Sequence, residues 1–227
     1  MAQRRERPAL QAGYDVGLRE DRMPSLCSFF TLPAGEAGHP IAAGPDGALW
    51  FFVADNGVFS TRMTPSDGKM QRFPMPPGPM PKALTAGPDG NLWYAGDGRV
   101  GRLTPAGQVS EFPAAGLRTT GIVTGPDGAL WAAAGSVVLR VTPQGAMSTT
   151  PAASGESHGI AVGGDGAVWV AGGSSLTRVT TDGRASRIAI PANLPADGGI
   201  TAAADGSLWY SSGAATAVGR IEPGSAT

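Results

Sequence analysis

Five tryptophans, Trp50, Trp93, Trp131, Trp169 and Trp209, lie 43, 38, 38 and 40 residues apart, and each stands in the same local frame. Four residues before each is the aspartate of an Asp-Gly pair: Asp46, Asp89, Asp127, Asp165 and Asp205. Nine residues before each is an aliphatic residue: Ile41, Leu84, Ile122, Ile160 and Ile200. These two intervals are the same in all five repeats. An Asp-Gly pair between short runs of small and apolar residues signals a tight hairpin, because the turn needs a positive φ that glycine adopts without strain. Each repeat therefore opens with two paired strands, an inner strand and the one carrying the tryptophan.

A third strand follows, marked by a recurring arginine, Arg62, Arg102, Arg140, Arg178 and Arg220, an apolar residue and a turn of the Thr-Pro-x-Gly kind, complete at Thr104–Gly107 and Thr142–Gly145 and varied in the other repeats. The fourth is a short segment ending in proline, such as Gln71-Arg72-Phe73-Pro74 or Ser110-Glu111-Phe112-Pro113. Proline lacks an N–H, so that strand belongs at a sheet edge. Four strands in roughly 40 residues, repeated, is the signature of a β-propeller blade. The fold class is all-β: a β-propeller of four-stranded blades, five in number.

The last repeat stops after its third strand, at Ile221-Glu222-Pro223-Gly224. The other end offers a spare fourth strand, Cys27-Ser28-Phe29-Phe30-Thr31-Leu32-Pro33. The expectation is a ring closed by residues 25–33 pairing beside Arg220, with residues 1–24 a flexible polar tail and residues 25–227 one propeller domain. The 35 glycines and 20 prolines, which without periodicity would suggest a low-complexity chain, then read as turns between many short strands.

Charge and cysteine content narrow the function. A net charge of −1 gives no electrostatic footprint for nucleic acid or an anionic membrane. Arg4, Arg5 and Arg7 are interrupted by Glu6 and followed by Glu20 and Asp21, as in a solvated tail. No apolar run is long enough to span a bilayer, and Met1 to Pro24 holds no secretory core. A single cysteine, Cys27, forms no internal disulfide and reads as a buried thiol. The expected protein is a cytoplasmic monomer.

In a propeller the loops at one end of the channel make the ligand site, and there the residues that differ between blades matter most. The tryptophans and arginines occur once per blade and belong to the scaffold; the Asp-Gly aspartates are turn residues. The only two histidines, His39 and His158, break the repeat at one equivalent place, two residues before the aliphatic start of the inner strand. Lys82, Thr120 and Gly198 hold that place in the other blades. Imidazole titrates near neutrality and can take a carbon-bound proton.

The segments Gly-Pro-Asp-Gly-Ala-Leu-Trp and Gly98-Arg99-Val100-Gly101-Arg102-Leu103-Thr104-Pro105 resemble the virginiamycin B lyase (streptogramin B lyase) family over roughly residues 25–223. The resemblance implies elimination that opens the ester of a cyclic depsipeptide, with a histidine base and Mg²⁺, on a seven-bladed ring. Glu156-Ser157-His158 is similar to the family segment in which a metal-binding glutamate precedes the catalytic histidine by two residues. It implies His158 as the general base, Glu156 as the Mg²⁺ ligand and His39 as a substrate-binding residue. The partner expected is a small cyclic peptide or another small molecule.

The chain departs from that pattern in blade number and in its carboxylates. The family repeat carries a glutamate three residues after the tryptophan; here those positions are Val53, Gly96, Ala134, Gly172 and Ser212. Two further readings stand beside the lyase. One is a non-catalytic propeller that binds a peptide, sugar or protein at the channel face. The other is a metal-dependent lactonase, which would need several clustered Asp, Glu or Asn ligands.

Overall fold

The computed structural model describes residue 32 and residues 38–152 and 157–223. Within them the chain is a succession of antiparallel β-sheets with no α-helix. Blade one comprises β1 (Gly38–Ala43), β2 (Leu49–Ala54), β3 (Val58–Met63) and β4 (Met70–Pro74). Blade two is β5 (Ala83–Ala86), β6 (Leu92–Gly96), β7 (Arg99–Leu103) and β8 (Val109–Pro113). Blade three is β9 (Thr119–Thr124), β10 (Leu130–Ala134), β11 (Val137–Val141) and β12 (Met147–Pro151). Blade four is β13 (Gly159–Val162), β14 (Val168–Gly172), β15 (Ser175–Val179) and β16 (Ala185–Ala189). Blade five has three described strands, β17 (Ile200–Ala202), β18 (Leu208–Ser212) and β19 (Ala217–Ile221).

Strand order within each sheet follows chain order, as hairpin connection requires. The first strands of successive blades lie side by side, β1 by β5, β5 by β9, β9 by β13 and β13 by β17, so they form the inner lining. The Asp-Gly turns are the hairpins expected, with Gly47, Gly90, Gly128, Gly166 and Gly206 all at φ between 69 and 84°.

Alternation along the second strand divides its side chains between two neighbours. Trp131, Ala133 and Val138 pack backward onto Ile160, Val168, Val170 and Val179 of blade four. Leu130 and Ala132 pack forward onto Trp93, Ala95 and Val100 of blade two. Blades two to four thus each have a front face toward the preceding blade and a back face toward the next. Trp50, Trp93, Trp131 and Trp169 are fully buried in these interfaces, whereas Trp209 is 37% exposed.

The aspartate and arginine of each repeat close a latch on the tryptophan. In blade four Asp165 Oδ1 accepts the Trp169 indole N–H at 3.1 Å, and Oδ2 pairs with Arg178 Nε at 2.6 Å. Blades one and three repeat this with Asp46–Trp50–Arg62 and Asp127–Trp131–Arg140. Blade two varies it: Asn91 donates to Asp89 Oδ2, and Arg102 reaches the Pro143 carbonyl of the next blade. In blade five Ser207 intervenes, taking the Trp209 N–H and donating to Asp205.

The predicted closing strand, residues 25–33, and Cys27 within it lie outside the described residues apart from Leu32, which packs on Phe51, Val53 and Met63 of blade one. Residues 1–24 lie outside them as well.

Candidate functional site

The Asp-Gly turns occupy one end of the blades. At the other end the chain passes from each outer strand to the next inner strand, and the second strand turns into the third. His39, Lys82, Thr120, His158 and Gly198 all sit at this second end. Two inner strands are irregular here: β1 shifts register between His39 and Ile41, around Pro40, and β9 shifts between Gly121 and Thr119. Bulges of this kind re-aim the side chains beside them and are frequent at functional sites.

His158 is exposed on the loop leading into β13. Its N–H donates to the Ala171 carbonyl at 2.8 Å, fixing its backbone to the end of β14. The preceding Ser157 is buried; its Oγ accepts the Gly135 N–H at 3.1 Å and lies 3.3 Å from Thr120 Oγ1. The serine ties the His158 loop to blade three, and does so at the residue that is the repeat equivalent of His158 there.

On the other flank is Asp197, in the loop leading into β17. Its Oδ1 accepts the Gly213 N–H at 2.7 Å and its Oδ2 the Ala214 N–H at 3.1 Å. The Gly213 bond, then the Ala214 bond, hold the Asp197 carboxyl below its ordinary pKa. Further round, Lys82 Nζ meets Asp97 Oδ1 at 2.8 Å in an exposed pair. The end of the blades that carries His158 thus presents polar groups, Lys82, Thr120, His158 and Asp197, that differ from one blade to the next.

Of the residues singled out in the sequence, His158 is fully placed at this face. His39 is placed only by its backbone, in β1 opposite Phe52, and Glu156 lies outside the described residues. Ser157 and Asp197 are additions. Asp197-Gly198 was visible as an Asp-Gly pair out of phase with the repeat, eight residues before Asp205.

The described residues do not make a Mg²⁺ cage. Among them no three His, Cys, Asp or Glu side chains converge as a metal site. The positions three after the tryptophans are buried Val53, Ala134, Gly96, Gly172 and Ser212 at the ends of second strands. Asp197, on the loop into β17, spends both oxygens on backbone N–H groups. A metal beside His158 would therefore depend on Glu156.

The comparisons with known proteins agree with this architecture. Among curated proteins there is no significant match. The structure resembles virginiamycin B lyase from Staphylococcus aureus at 27% identity and a TM-score of 0.76, over 86% of this chain and 70% of that one. A catalytically inactive histidine-to-alanine form of that enzyme with quinupristin matches at 28% identity and a TM-score of 0.75, over the same shares. A streptogramin B lyase structure matches at 27% identity and 0.72, over 82% of this chain and 66% of that one. The family model for virginiamycin B lyases matches residues 27–227, and the chain belongs to that family.

Proposed function

We propose that this propeller is a carbon–oxygen lyase that opens an ester bond in a cyclic depsipeptide or related small molecule, with His158 as the general base. The observation that carries the reading is the position of His158: exposed at the channel end, on a backbone fixed by Ala171 and Ser157, in a family whose relative loses activity when a histidine becomes alanine. His158 would take the proton from the carbon next to a substrate carbonyl. The electron pair left behind forms a carbon–carbon double bond as the adjacent C–O bond breaks, and the ester carboxylate leaves. His39, at the equivalent place in blade one, would contact the ring of the substrate.

No step here is routed through Mg²⁺, because the described residues leave its ligand set to Glu156. The missing carboxylates after the tryptophans favour a second reading, a propeller that binds such a ligand at the same face without cleaving it. Incubation with a streptogramin B-type depsipeptide followed by mass spectrometry separates the two. Elimination yields a linear product of the same mass as the substrate with a new double bond, hydrolysis a product one water heavier, and a binding module leaves the substrate intact.

A further inference from the structure

Blade two carries a charge at a place where the other blades carry none. Three residues before each repeat arginine stand Phe59, Arg99, Val137, Ser175 and Ala217. The register makes them equivalent: Phe59, Arg99 and Val137 lie opposite the prolines that end the fourth strands, Pro74, Pro113 and Pro151. An apolar or small side chain therefore suffices for the scaffold here. Arg99 is nonetheless buried, its side chain 9% exposed, where β6 turns into β7 at the end of the blade that carries Lys82.

The guanidinium works in two directions. Toward its own blade, Nη1 pairs with Glu111 Oε1 at 2.8 Å, and the Tyr94 hydroxyl donates to that same oxygen at 2.7 Å. Gly101, opposite Glu111, leaves room for this, because a Cβ there would run into the tyrosine ring. Toward blade one, Nη2 donates to the Pro79 carbonyl at 2.6 Å and Nη1 to the Pro77 carbonyl at 3.4 Å. Nε has no partner among the described residues. The attraction within a buried ion pair seldom exceeds its desolvation cost, so such a pair is weak evidence of a stability device. What this one supplies is a fixed shape for the chain it holds.

That chain is the loop from β4 to β5, residues 75–81, Met-Pro-Pro-Gly-Pro-Met-Pro. Its four prolines have no N–H, so the tip is held mainly through its carbonyls, and Arg99 takes two of them. Gly78 lies directly on the guanidinium, where a Cβ would collide with Nη1, Cζ and Nη2. The loop is anchored beyond its tip as the His158 loop is: the Lys82 N–H donates to the Ala95 carbonyl at 2.8 Å, and the His158 N–H to the Ala171 carbonyl at 2.8 Å. Pro77, Gly78 and Pro79 are exposed. A stiff apolar ridge thus stands at the end of the blades that carries His158, and leads straight into the residue equivalent to it.

We infer that Arg99 is a positioning residue of the ligand site. Held by Glu111 and Tyr94, it fixes Pro77–Pro79 as one wall of that site, against which an apolar ring or side chain of the ligand packs. Arg99 itself is buried beneath the ridge and does not touch the ligand. The inference rests on the depsipeptide-binding face proposed above and names a part of it that selects the ligand. Pyrrolidine rings have a fixed φ and little freedom to lose, so a wall built from them lowers the cost of binding.

The test measures affinity for a streptogramin B-type depsipeptide, and its turnover, in full-length Arg99→Met, Arg99→Lys and Gly78→Ala. Arg99→Met fills the same space without donors. Gly78→Ala drives the tip off the guanidinium while leaving Arg99, Glu111 and Tyr94 in place, and it serves should the buried change fold poorly. Both are expected to raise Kd and KM roughly tenfold with kcat within about twofold, because binding is weakened and the chemistry at His158 is not. Arg99→Lys, which keeps the charge but reaches one carbonyl at a time, should fall between Arg99→Met and the wild type. Amide exchange at Gly78 and Met80 should quicken in the same order. A merely structural network would lower the melting temperature of Arg99→Met and leave Kd and KM at wild-type values, which overturns the inference; so does a wild-type KM in Gly78→Ala. Binding without cleavage by the wild type, still weakened in the variants, would sink the lyase reading alone. A wild type that does not bind the depsipeptide overturns both.

Discussion

At one end of each blade an aspartate, a tryptophan and an arginine close much the same latch; at the other, the residues leading into the inner strand are histidine, lysine, threonine, histidine and glycine in turn. The first end is built by repetition. In the first four blades its aspartate accepts the indole N–H of a tryptophan buried between two sheets, whereas Trp209 of blade five is 37% exposed. The second end is freed from that duty. Thr120, His158 and Lys82 are exposed, and the loops that carry them are held by backbone bonds and by Ser157. Substitutions at the two ends should therefore fail in different ways: stability at the first, activity at the second.

The largest stability effect is expected from Trp131→Ala, which empties a fully buried interface between blades three and four. A loss of about 3–5 kcal/mol is the usual cost of such a cavity. Chemical denaturation of this variant beside His158→Ala sharpens the contrast, because the histidine variant should unfold at the wild-type midpoint. A tryptophan variant as stable as wild type would break it.

Next in size is the acid response of the latches. Burial alone would raise the pKa of Asp46, Asp89, Asp127 and Asp165, but hydrogen bonds from their arginine or asparagine partners, the indole N–H groups and the turn amides outweigh it and hold all four below the ordinary value. The unfolded chain thus takes up protons more readily than the folded one. The stabilisation is complete above the unfolded carboxylate pKa of about 3.9 and is lost as pH falls through the folded values. Thermal melting should be flat from neutrality to about pH 5 and fall steeply below about pH 4. Asp165→Asn should cost about 1–3 kcal/mol at neutral pH, by breaking the Arg178 pair, and should flatten that acid limb. An unchanged limb in this variant would show that the latch aspartates do not set it.

The smallest effect expected is that of Mg²⁺. With Glu156 as the one carboxylate assigned to the metal, millimolar Mg²⁺ should raise the melting temperature by only about 1 °C, as for a weak ligand near its Kd. Glu156→Gln should remove the shift. A shift of many degrees would mean that the second end offers a fuller ligand set than the described residues supply.

The two ends also differ in how much of them the sequence disclosed. Trp, Asp-Gly and Arg recur five times at fixed or nearly fixed spacing, so their hairpins, burial and pairing could be read before any coordinates. His158 could be read because it breaks the repeat. Ser157 could not: one serine among many acquires its role only when blade three brings Thr120 and Gly135 to it. Asp197 likewise depends on the turn at Gly213 and Ala214 folding back over it. The variant latches of blades two and five follow from single changes, Asn91 and Ser207, whose effect lies in side-chain geometry and not in spacing.

The central claim is that the unlike end of the blades performs an elimination through His158. The direct measurement is mass-spectrometric turnover of a streptogramin B-type cyclic depsipeptide by the wild-type protein and by His158→Ala, with circular dichroism showing both folded. The account predicts a linear product of unchanged mass from the wild type, and a rate lower by about 10²–10⁴-fold in the variant, the usual share of a positioned base. Equal turnover by the two proteins, or a product one water heavier, would contradict it.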